Sequence, residues 1–384
     1  MEGLRRGALL AAAFVIMAFN SLYQYSWNAL EPLIARGLGQ PFGRVEAAFV
    51  VFVVVSTLVQ LLTGPVADRR GPRVVAVPAS LLSAAGFLGT SLSRGLAEFY
   101  AFWALGSAGE GALYGVASNV AVKWFPDRRG LATGLVSLGF GLGGAVANPL
   151  IASSRSFREP AMAIGLAELA VLTALSATLE YPKASRGVGL RAAAATWRWW
   201  ALYASFSLAL VPLVSYAGAL ARITGLAGWP LYVAVAAFPL ASGAGRPLLG
   251  LVSDRLGRIK TVAASLAVGA AAALVSYAGG PAGVAGVVLV GLTGGALIPL
   301  YFALVGDLYG ERESTSNTAA MYTGKAVSGL LAGAVAALTG SDLAAARALV
   351  PASSLAALAL LALATGVRPP WPAPSRPGPP SRPS

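Results

Sequence analysis

The sequence predicts an all-α membrane protein: twelve transmembrane helices in two six-helix halves. Three observations predict it. Of the 384 residues, 57% are hydrophobic and only 11% are charged, whereas a soluble domain carries about 25% charged residues; the mean hydropathy is +0.71. The apolar residues fall into twelve runs, each long enough to cross ~30 Å of hydrocarbon at ~1.5 Å per helical residue. One loop pattern occurs twice, after the second run of each set of six.

In chain order the runs occupy 7–34, 45–67, 74–93, 97–122, 130–152, 160–179, 198–221, 229–252, 261–279, 282–306, 315–339 and 343–366. They are continuous rather than alternating, and far longer than the ~10 residues of a barrel strand. The first follows Arg5 and Arg6, as the core of a secretory signal would. It runs on through Gln24, Trp27 and Asn28 without a small-residue cleavage site, so it is expected to remain as the first helix. The longest break, 180–197, is polar and basic and reads as a linker between halves 1–179 and 198–366. Residues 367–384, rich in Pro, Ser and Arg, are expected to form a disordered cytoplasmic tail. A dozen spans fill this length, with no room for a separate soluble domain.

Lys and Arg number 28 against 15 Asp and Glu, a net charge of +13. The cations lie between apolar runs, not in a basic stripe interleaved with aromatics, so nucleic acid is not an expected partner. With the N-terminus inside, nineteen of them fall in inner loops: Arg5, Arg6, Arg69, Arg70, Arg73, Lys123, Arg128, Arg129, Lys183, Arg186, Arg191, Arg198, Arg255, Arg258, Lys260, Arg312, Arg368, Arg376 and Arg382. Seven fall outside: Arg36, Arg44, Arg94, Arg155, Arg158, Arg222 and Arg347. This asymmetry places both termini in the cytoplasm and the chain in the cell membrane. The absence of Cys and His removes thiol and imidazole catalysis and the usual zinc, haem and iron–sulfur ligands. No nucleophile–base pair or metal cluster falls at one depth, so neither an enzyme nor a bound cofactor is expected. Zero Cys with four Met fits a thermophilic prokaryote.

The repeated loop reads Gly64-Pro-Val-Ala-Asp68-Arg69-Arg70-Gly71-Pro72-Arg73 in the first half and Gly250-Leu-Val-Ser-Asp254-Arg255-Leu256-Gly257-Arg258 in the second. The glycines permit a tight turn and close helix approach. Each Asp can cap a helix end, and the arginines can bind acidic partners or terminal carbonyls. Gly64, Asp68, Arg69, Gly71, Arg73, Gly250, Asp254, Arg255, Gly257 and Arg258 are therefore candidate gating residues.

In both halves this loop resembles that of the major facilitator superfamily, a resemblance that covers essentially the whole chain. It implies secondary transport, with a substrate site between the halves at the midplane. Three segments narrow the resemblance to the oxalate:formate antiporters and monocarboxylate porters. They are Lys123-Trp124-Phe125-Pro126-Asp127-Arg128-Arg129-Gly130-Leu131-Ala132-Thr133-Gly134, Gly245-Arg246-Pro247-Leu248-Leu249-Gly250, and Asn317 through Met321-Tyr322-Thr323-Gly324-Lys325.

Arg246 lies roughly 12 Å, and Lys325 roughly 15 Å, from the cytoplasmic ends of their helices. A cation at such depth costs about 2.5–3.5 kcal/mol on insertion scales, so each must face a cavity or an anion. The alternative is an ion pair with the other half, for which Glu110 and Glu168 are the candidates. The resemblance implies that Arg246 and Lys325 bind substrate, and that Gln24, Tyr25, Tyr114 and Tyr301 line the cavity. Tyr322 is one helical turn from Lys325 and shares its face. Phe140 stands where the resemblance implies a hydroxylated ring. The dense glycines of the fifth run, and Gly329 and Gly333 in the eleventh, are expected to let helices meet closely.

The expected function is secondary transport of a small carboxylate such as oxalate, formate or lactate, by a monomer using alternating access. Proton-coupled monocarboxylate symport and a membrane anion sensor are the rivals. Glu110, near mid-depth and on the face of Tyr114, is a candidate for coupling protonation to substrate choice, with protons as second partner; a plain structural role is its alternative.

Overall fold

The computed structural model describes residues 2–183 and 187–366; the Pro-rich tail, with Arg368, Arg376 and Arg382, and Arg186 of the linker lie outside the described residues. Twelve membrane-length helical spans follow one another in chain order. Span 1 comprises Glu2–Tyr25 and Trp27–Leu38, span 2 Phe42–Arg70, span 3 Arg73–Leu92, span 4 Leu96–Trp124, span 5 Arg129–Ala152 and span 6 Arg158–Thr178. A short helix, Leu190–Ala194, precedes span 7 at Trp197–Thr224. Span 8 is Gly228–Leu256, span 9 Arg258–Ala278, span 10 Gly280–Tyr309, span 11 Ser314–Ser341 and span 12 Leu343–Thr365. With an even number of crossings, the described chain begins and ends on one face, called here the terminal face.

Eleven spans are long and apolar enough to cross a bilayer by length and composition; span 4 is not among them. Its residues Gly109 through Lys123 are all buried, so its Gly, Ser, Glu110 and Lys123 meet protein rather than lipid, and low hydropathy there costs nothing. The regular runs of the sequence are also interrupted. Span 1 is broken at Ser26, span 11 at Thr323, and span 6 winds into a π-helical turn over Glu168–Leu172. Within the runs 7–34 and 315–339 both helices break next to polar side chains, where freed backbone groups find partners inside the protein.

Close packing rests on glycine where the fifth run is densest. A Cβ at Gly139 would overlap the Phe14 carbonyl, and one at Gly143 the Ala18 carbonyl of span 1. Gly329 and Gly333 of span 11 meet open space instead. They do not form the expected helix contact among the described residues.

The segment between spans 6 and 7 packs closely. Its described residues are folded against the core: Trp124 Nε1 donates to the Glu180 carbonyl at 2.8 Å, the Tyr181 hydroxyl to the Val116 carbonyl at 3.1 Å, and Val188 N to the Tyr309 carbonyl at 2.7 Å. Two cations assigned to outer loops cap helix ends. Arg158 donates to the Ser91 and Ser93 carbonyls at 2.7 and 2.8 Å, ending span 3, and Arg347 to those of Ile223 and Thr224, both at 2.9 Å, ending span 7. A guanidinium there satisfies carbonyls that have no partner within the helix.

Gly143→Val is expected to cost about 1–3 kcal/mol through overpacking, lowering the thermal unfolding midpoint of the detergent-solubilised protein by several degrees. Gly333→Val should leave it unchanged within ~0.5 kcal/mol. Equal midpoints for the two variants would contradict the tight contact of spans 1 and 5.

Candidate functional site

The two deep cations meet a shared set of side chains. Arg246, on span 8, is 4% exposed. Its Nη1 donates to the carbonyl and hydroxyl of Ser137 on span 5 at 2.6 and 3.0 Å, and its Nη2 reaches the Tyr25 hydroxyl at 3.4 Å. Its Nε is buried with no hydrogen-bond acceptor. Lys325, two residues past the break in span 11, donates to Gln24 Oε1 at 3.1 Å and to the Tyr322 hydroxyl at 3.0 Å. The helix breaks explain the access: Ser26 follows Gln24 and Tyr25 directly, and Thr323 separates Tyr322 from Lys325.

An aromatic row joins the two cations. Tyr25 packs on Phe140 at 5.2 Å between ring centroids, Phe140 on Tyr114 at 5.3 Å, and Tyr114 stacks on Tyr322 at 4.8 Å. Phe302 closes the far side against Tyr322 at 5.9 Å. Together with the Gln24–Lys325 bond, this makes a closed circuit of contacts with a cation on either side. Among the described residues no carboxylate lies within 4 Å of Arg246 or Lys325. The proposed ion pairs with Glu110 or Glu168 are therefore not formed. Glu168 is buried inside the first six spans, where Oε2 accepts from Ser83 Oγ at 2.8 Å.

Gln24, Tyr25, Tyr114, Tyr322, Arg246 and Lys325 are brought together; Tyr301 is not. The Tyr301 hydroxyl shares a 2.6 Å hydrogen bond with Ser205 on span 7, and the ring packs on Phe206. Neighbouring helical residues point ~100° apart, so Phe302 takes the place expected of Tyr301. Sequence reasoning also missed Ser137. Its signal was modest: a hydroxyl three residues before Phe140, on the same helical face.

The repeated loops tie the two sets of six spans together at the terminal face. Asp68 accepts from Ser316 N at 2.8 Å, Ser316 Oγ at 2.7 Å and Thr315 N at 3.3 Å, at the start of span 11. Asp254 accepts from Gly130 N and Leu131 N, both at 2.8 Å, at the start of span 5. Each loop Asp thus caps a helix N-terminus of the opposite set, where the helix dipole favours an anion. Lys123, counted as a loop cation from the sequence, is instead buried and pairs with Asp68 at 2.9 Å. It also donates to the Glu311 and Arg312 carbonyls across the interface. Arg258 pairs with Asp254 at 2.7 Å and with Asp307 at 2.9 Å, and Arg129 with Asp307 and Glu311.

Gly64 approaches the Thr315 and Ser316 backbone, and Gly250 that of Gly130, so closely that a Cβ at either would crowd them. Gly71 and Gly257 hold φ of +90° and +99°, which side chains rarely adopt. Arg73 bonds the Leu179 carbonyl at 2.8 Å. Arg69 and Arg255 are exposed and form no ion pair among the described residues, so geometry gives them no part in the latch. Toward the opposite face the contacts loosen: a Cβ at Gly141 would lie 4.0 Å from Gly243, and nothing adjoins Gly43, Gly329 or Gly333. The two sets of spans thus meet most tightly at the terminal face, and Tyr25, at 37%, is the most exposed of the clustered residues.

Over residues 9–333, and again over 200–383, the sequence matches the profile of the family described as Major Facilitator Superfamily. The chain belongs to this superfamily. It is a multi-pass membrane transporter by family and fold. It is 48% identical over 371 residues, 96% of this chain and 98% of the other, to a protein of Thermoproteus tenax described as an uncharacterized 38 kDa protein in the 23S RNA operon. It is 27% identical over 349 residues, 85% of this chain and 83% of the other, to the oxalate:formate antiporter of Oxalobacter formigenes. In fold it is similar to the Escherichia coli fucose:proton symporter, with a TM-score of 0.72 at 16% identity, covering 93% of this chain and 98% of that one.

Asp68→Asn keeps the side-chain volume and leaves Lys123 buried without its counterion, a change worth about 3–5 kcal/mol for a buried pair. With no native Cys, Thr318→Cys makes a unique reporter in the latch, where Thr318 meets Asn119 at 2.7 Å. Its labelling by a maleimide should speed up at least several-fold when Asp68→Asn is added, and unchanged labelling would rule out Asp68 as a latch.

Proposed function

We propose that the chain transports small carboxylates, mono- or dianions of the size of formate, lactate or oxalate, by alternating access around Arg246 and Lys325. The observation that carries this reading is the pair of deep cations without a carboxylate in contact. An Arg presents a planar fork that matches a carboxylate bidentately, and its Nε is free to complete that fork. Lys325 supplies a second, mobile point charge. Tyr25, Tyr114 and Tyr322 supply flat faces against which a planar carboxylate packs, and hydroxyls that donate to it.

Similarity to the oxalate:formate antiporter supports the substrate class. Release to the terminal face requires the Asp68 and Asp254 caps to open while the opposite face closes. The excess of Lys and Arg at the terminal face supports a cytoplasmic assignment for it. The relative in Thermoproteus tenax supports a prokaryotic cell membrane as the setting. The gating role belongs to Gly64, Asp68, Gly71, Arg73, Gly250, Asp254, Gly257 and Arg258, and a single chain holds the complete site.

Arg246→Ala and Lys325→Ala are each expected to cost about 2–5 kcal/mol of anion binding, at least ~30-fold in Kd. Arg246→Lys should fail nearly as badly, since it keeps the charge and loses the fork. Radiolabelled oxalate, formate and lactate uptake into proteoliposomes, with binding measured on the same preparations, decides the matter. Full transport by either alanine variant would remove the anion site.

A further inference from the structure

The guanidinium of Arg246 is held at one end. Nη1 carries two N–H groups, and Ser137 offers it two acceptors, the carbonyl at 2.6 Å and the hydroxyl at 3.0 Å. What remains is the edge formed by Nε–H and the Nη2–H beside it. Nε has no acceptor, and among the described residues Nη2 meets the Tyr25 hydroxyl alone, at 3.4 Å. A planar carboxylate can fork onto either edge of a guanidinium, so Ser137 decides which edge is left for it. The hydroxyl one turn earlier on span 5, that of Thr133, donates to the carbonyls of Arg129, Gly130 and Pro299. That of Ser137, buried, accepts from Arg246 instead.

These bonds also cross between the two sets of spans, at the point where their packing changes. Toward the terminal face, a Cβ at Gly134 would overlap the Arg246 carbonyl, and one at Gly130 the Gly250 carbonyl. One turn beyond Ser137, a Cβ at Gly141 would lie 4.0 Å from Gly243. Ser137 therefore stands at the inner margin of the tight contact between spans 5 and 8. Parting the two helices there by ~1 Å takes a 3.0 Å hydrogen bond out of range. With Nη1 released, an anion must order the guanidinium itself before it can use the fork, and that ordering weakens binding.

We infer that Ser137 is a positioning residue: from span 5 it fixes the Arg246 guanidinium of span 8 so that the Nε–Nη2 edge meets the anion, and only while spans 5 and 8 meet at the terminal face. Anion affinity is then higher with that contact closed than with it open. By linkage, a bound anion favours the closed contact by the same factor. Ser137 thus ties occupancy of the anion site to the state of the latch. The inference rests on the carboxylate reading and adds to it the residue that makes the fork depend on conformation.

The probe is whichever of oxalate, formate and lactate binds most tightly in calorimetric titration of the full-length, detergent-solubilised protein. Ser137→Ala keeps the carbonyl bond and loses the hydroxyl, and should bind that anion about tenfold more weakly. Ser137→Thr keeps the hydroxyl and should keep most of the affinity. The second readout is maleimide labelling of the Thr318→Cys reporter at saturating anion, where lost affinity no longer matters. The anion should slow labelling several-fold when Ser137 is present, and distinctly less with Ser137→Ala; a role in packing alone would leave this protection unchanged. Unchanged affinity in Ser137→Ala, equal losses in the alanine and threonine variants, or protection that does not depend on Ser137 overturns the inference and leaves the site at Arg246 and Lys325 standing. No binding of any of the three anions to the wild-type protein overturns the carboxylate reading, and this inference with it.

Discussion

Two positive charges deep in a bilayer-spanning bundle, with no carboxylate among the described residues within 4 Å of either, constrain everything around them. Neither charge can be left against lipid, so spans 1, 4, 5, 10 and 11 wrap them in hydroxyls, an amide and aromatic rings. Such partners orient a cation without neutralising it. The uncompensated charge is the basis of the anion site proposed above. It also explains the breaks in spans 1 and 11: a regular helix would satisfy its own backbone but could not aim Gln24, Tyr25 and Lys325 into one space.

The same economy of charge shapes the terminal face. Asp68 and Asp254 do not pair only with cations beside them in sequence. They cross the interface to cap helix N-termini of the opposite set, where backbone N–H groups would otherwise face one another unsatisfied. The two latches are related by the repeat but differ in their cation: a lysine from span 4 backs Asp68, and an arginine one turn along the same chain backs Asp254. Charge-assisted hydrogen bonds of this kind are strong when shielded and dissolve when water enters. They suit an interface that must open and close.

Glycine decides where the two sets of spans can touch. Contact is tight at Gly130, Gly134 and Gly250, near the terminal face, and lapses by Gly141 and Gly243. The gradient along spans 5 and 8 sets which face is closed. Glycine density alone did not reveal it: the spaced pair Gly329 and Gly333 faces open space, whereas Gly139 and Gly143 are pressed against span 1.

The fold class was legible because burial of apolar backbone in lipid leaves long helices as the solution, and length, hydropathy and a repeated loop record that directly. The sequence alone also identified Arg246 and Lys325, since a cation so deep in an apolar run is costly wherever the chain folds. What it could not determine was the partner of each. Whether Lys123 is a surface cation or a buried latch depends on a neighbour, Asp68, that lies 55 positions away. Whether Tyr301 or Phe302 faces the site depends on helix rotation, which packing against Ser205 and Phe206 sets. Glu110 and Glu168 looked alike as acids in apolar spans; only the tertiary structure showed that neither pairs with Arg246 or Lys325 and that Glu168 accepts from Ser83. The cost of burying a charge is local and can be read from sequence, whereas the group that answers it comes from a distant segment that only packing brings near.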